Sequence, residues 1–128
     1  MEIRDAVEDD ADRLADLTGT PQDVMRNLVH DRTVRVATED DELAGFVSYD
    51  AREDTVHVTQ LEGGDGVRDR LLEEPIRFAD TEDMTVELLV TETEGETREA
   101  AEDAGFDHVG SGPRFEGEQT VRYRLDPS

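Results

Sequence analysis

The stretch from Thr55 to Val90 constrains the fold more than any other part of the chain. Thr55 to Leu61 reads as a strand, with Val56, Val58 and Gln60 on one face and His57 and Thr59 on the other. Gly63-Gly64-Asp65-Gly66 follows, and then a helix carrying Val67, Leu71, Leu72, Ile76 and Ala79 at helical spacing. Met84 to Val90 is a second strand, in which Met84, Val86, Leu88 and Val90 alternate with Thr85, Glu87 and Leu89. A strand–helix–strand unit of this kind places its two strands parallel in one sheet, with a right-handed crossover. Pro75 lies inside the helix, lacks an amide hydrogen and clashes with the carbonyl of Leu71, which predicts a kink or a break there.

The flanking segments complete the pattern. Ile3 to Ala6 reads as a first strand. Asp9 or Asp10 then caps a helix bearing Ala11, Leu14, Ala15 and Thr18 and ended by Gly19. Thr20 as N-cap and Pro21 in the first helical position start a second helix, whose buried face is Val24, Met25, Leu28 and Val29. Thr33 to Thr38 and Leu43 to Tyr49 form an antiparallel hairpin around the charged turn Glu39-Asp40-Asp41-Glu42. A last helix runs from about Gly95 to Ala104 with Gly105 as its C-terminal cap, and Phe106 to Gly110 and Thr120 to Leu125 are the final strands. The order β-α-α-β-β-β-α-β-α-β-β predicts an α/β fold of the α+β type: a mixed, mostly antiparallel sheet flanked by helices. A length of 128 residues suits one domain spanning 1–128.

Charge decides which partners such a domain can have. Thirty-five acidic residues stand against thirteen basic ones, for a net charge of −22. All the basic residues are Arg. That balance argues against nucleic acid and against anionic membranes, both of which need basic surface. It fits a folded domain in concentrated salt, where the Debye length falls to about 3 Å near 1 M and self-repulsion is quenched. The sustained periodicity speaks against a disordered chain. There is no Cys, hence no disulfide or thiolate metal site, and His30, His57 and His108 are too dispersed to suggest a zinc site. Neither a signal peptide nor an apolar run of membrane-spanning length is visible, so the expected compartment is the cytoplasm.

The Gly63–Gly66 turn is the best candidate for chemistry. Glycines let backbone approach a ligand closely, and a helix start offers unpaired N–H groups with partial positive charge. An anion-binding turn over Gly64 to Arg68 follows, although a plain flexible connection has the same composition. Arg68 could pair with a phosphate or with a nearby acid. Of Asp65, Asp69 and Glu73, Asp65 alone lies at helical contact spacing. Elsewhere, His57 could act as a base, but a hydrogen-bonded histidine on a sheet face is the simpler reading. Tyr49 and Tyr123 read as packed strand residues, and Glu62 and Glu87 as solvated ones.

Ile3-Arg4-Asp5-Ala6 with Asp10-Ala11, then Glu42-Leu43-Ala44-Gly45-Phe46-Val47, then Ala104-Gly105-Phe106 resemble, in this order, phrases of the GNAT family of N-acetyltransferases. The resemblance spans nearly the whole chain and implies a GNAT-like fold with acetyl-CoA as co-substrate. It places the family's acyl-CoA motif on Gly63, Gly66 and Arg68, of which Gly66 alone matches; Gly64 matches a further common glycine. It implies that backbone groups near Val58 and Gln60 bind the pantetheine arm, and that the amides of Gly64, Gly66, Val67 and Arg68 hold the pyrophosphate. The family's frequent proton-donating Tyr falls on Ala101, which has no proton to give. The implied reaction is acetyl transfer by direct attack of a small-molecule or peptide amine, with a non-catalytic GNAT-fold binding or regulatory module as the alternative, and an interaction protein of merely similar topology behind both. No catalytic residue is identified, and a homodimer is compatible with the sequence.

Overall fold

The structure is a computed structural model and describes residues 1–114 and 117–127, with the side chain of Asp65 outside the description. Its elements are β1 (Glu2–Asp5), a 3-10 turn (Glu8–Asp10), α1 (Ala11–Thr18), α2 (Gln22–Asp31), β2 (Thr33–Glu39), β3 (Glu42–Arg52), β4 (Thr55–Glu62), α3 (Asp65–Glu82), β5 (Thr85–Thr91), α4 (Gly95–Asp103), β6 (Asp107–Ser111) and β7 (Thr120–Leu125). The strands form one sheet in the order β1-β2-β3-β4-β5-β7-β6. Among the described residues its single parallel pair is β4–β5, bridged by α3. All other neighbours are antiparallel. The mixed, mostly antiparallel sheet expected from the element order is thus present.

Alternation along the strands sorts apolar side chains into two layers. Val34, Val36 and Phe46 turn to one face, where Ala11 and Leu14 of α1 and Met25 of α2 cover them. Val47, Tyr49, Val56, Val58, Val86, Leu88 and Val90 turn to the other, beneath Leu71, Leu72 and Ala79 of α3 and Ala101 of α4. Burial of these side chains is the main stabilising term, at about 1.5–3 kcal/mol for each large aliphatic one. Gly19 closes α1 in the left-handed conformation, at φ 71°.

Local details depart from the sequence reading for identifiable reasons. Asp10 does not cap α1 with its side chain. It accepts the Val7 amide at 2.8 Å and a two-pronged ion pair from Arg4 at 2.8 and 3.0 Å, tying β1 to the turn before α1. That guanidinium holds the Asp10 carboxyl below its ordinary pKa, against the opposing effect of burial. The N-cap of α2 is Pro21, one residue later than expected, so Val24 rotates outward and is 50% exposed while Met25 is buried. Pro75 does not break α3, which runs unbroken from Asp65 to Glu82. Leu71, Leu72 and Ala79 clamp the helix to the sheet on both sides of the proline, which outweighs one missing hydrogen bond.

Candidate active site

β4 and β5 are paired only from Thr55–Thr85 to Val58–Leu88. Beyond that point each strand stays with its outer neighbour: β4 follows β3 as far as Glu62 opposite Phe46, and β5 follows β7 as far as Thr91 opposite Thr120. The two therefore part in the middle of the sheet. The divergence starts at a β-bulge: Ser48 faces Gln60 and Tyr49 faces Val58, so Thr59 is an extra residue on β4. A bulge bends its strand and increases the local twist. The extra residue is held in place by side chains. Ser48 and Thr59 hydroxyl oxygens lie 2.6 Å apart, and Thr59 donates to the Ser48 carbonyl at 3.2 Å. The bulge also corrects the face assignment of Gln60. Leu61, not Gln60, packs with Val56 and Val58 toward α3, because three residues rather than two separate Val58 from the next inward position.

The gap is a cleft of about 550 Å³, within the range of small-molecule and cofactor sites. β4 lines it with Thr59 to Glu62 and β5 with Leu88 to Thr91. Thr18 and Thr20 from the α1–α2 connection line it from one side of the sheet, Glu94 and Thr97 at the start of α4 from the other. Pro113 and Arg114 border it as well. The cleft therefore passes through the sheet and is reachable from both faces. Along it, β4 beyond Val58 has no strand partner on its β5 side among the described residues, which leaves backbone groups there open to a ligand.

At one end of the cleft stands the glycine turn. Gly63 has φ +150°, and a Cβ on it would meet the Val67 side chain at 2.7 Å. A Cβ on Gly45 would run into the Glu62 carbonyl oxygen and meet Val67 at 2.8 Å. The end of β4, the middle of β3 and the first turn of α3 are thus interlocked through two glycines. Gly63 cannot bear a long side chain in this conformation, which explains its departure from the acyl-CoA motif. Gly64 and Gly66, by contrast, face open space. The first helical hydrogen bond runs from Arg68 N–H to the Gly64 carbonyl at 2.9 Å. The amides of Asp65, Gly66 and Val67 lie ahead of that ladder, whereas the Arg68 amide is already engaged. Open glycines over a set of forward-pointing amides fit a pyrophosphate.

The Arg68 side chain, 16% exposed, reaches Glu96 of α4 at 3.0 Å and spans the two helix starts. The Asp65 carboxylate expected to pair with it lies outside the described side chains. The Glu62 carboxyl is pushed up by burial and further by the charge of Glu94, with Arg68 acting in the opposite direction. Glu62 is exposed, as a solvated acid should be, and shares the cleft wall with Glu94.

Of the residues singled out from sequence, Gly64, Gly66, Val67 and Arg68 come together at one turn, with Val58 and Gln60 flanking the bulge beside it. His57 sits before the divergence, opposite Glu87 and Asp50, and does not line the cleft. Tyr49 is packed in the core, and burial pushes its phenol pKa up. Tyr123 is buried as well, donating to Glu102 at 2.7 Å and accepting from Arg98 at 3.2 Å. Ala101 of α4 is fully buried against the sheet. Glu94 and Thr97 escaped the sequence reading, and Thr18 and Thr20 were read there only as helix residues, since isolated polar residues at helix ends carry no spacing signature for a cleft.

No protein-family model and no curated protein matches the chain. Solved structures do. A protein assigned to the GNAT family from Desulfovibrio desulfuricans is 24% identical, with 98% of each chain covered and a TM-score of 0.78. Ribosomal-protein-alanine N-acetyltransferase from Brucella melitensis is 16% identical over 98% of this chain and 99% of its own, with a TM-score of 0.83. YncA from Salmonella typhimurium, solved with its cofactor acetyl-CoA, is 15% identical over 100% of this chain and 94% of its own, with a TM-score of 0.84. The chain has the fold of the GNAT acetyltransferases.

Proposed function

We propose that this chain is an acyl-CoA-dependent N-acyltransferase, transferring an acetyl group from acetyl-CoA to an amine by direct attack. The observation that carries the reading is the divergence of β4 from β5 at a pinned bulge, which opens a cleft through the sheet beside a helix start with forward-pointing amides. Two substrates can then approach one point from opposite faces, as a transfer without a covalent enzyme intermediate requires.

In this reading residues 1–128 act as one domain. The amides of Gly64, Gly66 and Val67 hold the pyrophosphate, with the Arg68 guanidinium beside them. Backbone groups near Val58 and Gln60 take the pantetheine arm, and open β4 amides stabilise the oxyanion that forms when nitrogen attacks the thioester carbon. Acetyl-CoA as co-substrate is supported by the acetyl-CoA-bound YncA structure of the same fold. A small-molecule or peptide amine as acceptor is supported by the ribosomal-protein-alanine N-acetyltransferase likeness. The acidic surface points to a salty cytoplasm as the working medium. Titration calorimetry with acetyl-CoA in molar KCl, followed by release of free thiol with a panel of amines, tests the proposal. Saturable binding with amine-dependent thiol release is expected; no binding would refute it.

One observation favours a second reading, a non-catalytic module that retains acetyl-CoA as a ligand. Ala101, where the resemblance puts a proton donor, is sealed in the core. Binding without thiol release for any amine would select that reading.

A further inference from the structure

Thirteen arginines share this chain with thirty-five acids, so a guanidinium on its surface has carboxylates on every side. The arginines use them. Arg4 holds Asp10, Arg32 and Arg52 both hold Asp50, Arg68 holds Glu96, Arg122 reaches Glu87 and Arg124 reaches Asp126. Arg26, Arg35, Arg70 and Arg77 are paired in the same way. Arg13 donates to the Asp41 carbonyl, and Arg98 to the Tyr123 hydroxyl. Arg114 alone makes no hydrogen bond or ion pair among the described residues. It is also the one arginine among the described residues that lines the cleft between β4 and β5. A free guanidinium beside a cleft, in a chain where acids abound, is available to an anion that enters from outside.

The segment leading to Arg114 is tied to the sheet. Gly112 N–H donates to the Thr120 carbonyl at 3.0 Å, and the Gln119 side-chain amide donates to the Gly112 carbonyl at 3.1 Å. The Thr120 hydroxyl donates to the Pro113 carbonyl. A Cβ on Gly112 would meet the Leu89 side chain at 2.6 Å, so this backbone lies directly on Leu89. Leu88 and Val90 turn toward α3 and α4, and Leu89 between them turns to the opposite face. Arg114 therefore follows a backbone anchored on the face away from α3. The start of α3, where the pyrophosphate is proposed to rest, is on the other side of the sheet. The anion that Arg114 awaits thus belongs to the second substrate and not to the coenzyme.

We infer that the acceptor is an amino carboxylate, and that Arg114 holds its carboxylate while its amine reaches the gap between β4 and β5. The inference rests on the acyltransferase reading and narrows its acceptor. The charged side chains that line the cleft among the described residues are Glu62, Glu94 and Arg114. A zwitterion matches this set of charges: the two acids favour its ammonium end, and the guanidinium favours its carboxylate. A polyamine would leave Arg114 unpaired and be repelled by it. A simple alkylamine would gain nothing from it. The planar fork of arginine can bind both carboxylate oxygens at once, which fixes the orientation of a small acceptor as well as its affinity. Two sources share this chemistry, a free α-carboxylate and the carboxylate of an acidic side chain.

The test measures thiol release from acetyl-CoA in molar KCl with the common L-amino acids, their α-amides and short alkylamines. Wild type, Arg114→Gln and Arg114→Lys are compared, and acetyl-CoA affinity is read by calorimetry on the same samples. For wild type we expect at least one amino acid to be acetylated with kcat/KM at least about tenfold above that of the matching alkylamine. Loss of activity with its α-amide would assign the α-carboxylate. Activity retained by the α-amides of aspartate and glutamate alone would assign the side-chain carboxylate. Arg114→Gln should raise KM for the preferred amino acid by about 10–100-fold, with kcat and acetyl-CoA affinity within about threefold of wild type. Its KM for alkylamines should not change. Arg114→Lys should recover part of the loss, since it keeps the charge without the fork. Turnover of alkylamines as good as that of amino acids, or an unchanged amino-acid KM in Arg114→Gln, would overturn the role of Arg114 and leave the acyltransferase reading standing. A fall in acetyl-CoA affinity in Arg114→Gln with no change in acceptor KM would do the same, by placing Arg114 on the coenzyme. Thiol release with no amine of any kind would remove both readings.

Discussion

Ser48 and Thr59 face each other across the β3–β4 ladder with their hydroxyl oxygens 2.6 Å apart, at the one place where β4 carries a residue more than β3. Ser48 is fully buried, so the pair is shielded from competing water. Ser48→Ala removes the donor to Thr59 while leaving the Thr59 bond to the Ser48 carbonyl. The expected cost is about 1 kcal/mol of stability, read from the denaturant midpoint. Because the bulge opens the cleft, acetyl-CoA affinity should fall as well.

Two glycines a short distance apart should respond in opposite ways. Gly45→Ala drives a Cβ into the Glu62 carbonyl oxygen, a backbone atom that cannot step aside alone. A loss of about 1–3 kcal/mol is expected. At Gly64, φ is −76° and a Cβ meets nothing, so Gly64→Ala should change stability by less than about 0.5 kcal/mol. Its methyl group would nonetheless stand on the surface where the pyrophosphate is proposed to rest. Acetyl-CoA affinity should drop with the fold intact, which thermal melts and calorimetry on the same sample would show.

Glu62 is set against the proposed ligand. Its carboxyl lies beside the glycine turn and near Glu94, and Glu73, Glu74 and Asp69 follow within three turns of α3. These charges repel a polyanion in dilute buffer and are screened in molar salt. Acetyl-CoA affinity should therefore rise with KCl until folding is saturated. Glu62→Gln should bind several-fold more tightly than wild type in low salt, and the two should converge near about 1 M KCl, where the Debye length is about 3 Å. Wild-type affinity that falls steadily with salt while the fold holds would place the site elsewhere.

Asp10 gives the fold a defined acid limit. Its carboxyl is held below its ordinary pKa by Arg4, so its contribution is fully present above the unfolded value of about 3.9 and is lost as pH falls through the folded value. Asp10→Asn should be less stable than wild type at neutral pH. The gap should stay constant down to about pH 5 and narrow at more acidic pH. A gap independent of pH down to the acid transition would mean that the Arg4–Asp10 pair contributes nothing through its charge.

How far the sequence leads here depends on which signals are local. Alternation in Met84 to Val90 and Thr55 to Val58 reports sheet faces directly, and Gly19 and Gly105 mark helix ends by backbone conformation, so element order and the parallel pair were legible. The faces beyond Val58 were not, because one inserted residue inverts every later assignment and leaves no mark in composition. The glycine turn was visible as a cluster, but the reason for Gly63 and Gly45 lies in contacts between segments distant along the chain. Arg68 shows the same limit. Its described partner, Glu96, is 28 residues away, beyond any helical-spacing rule. Thr97 is one threonine in a charged helix, and its place on the cleft wall appears only in the folded chain.

The most direct test of the acyl-CoA cleft is amide hydrogen exchange, resolved by residue, with and without saturating acetyl-CoA in molar KCl. The account predicts that added protection concentrates on β4 beyond its bulge, Thr59 to Leu61, and on Gly64, Gly66 and Val67 at the start of α3. Ligand binding with protection elsewhere and none at these amides would contradict it.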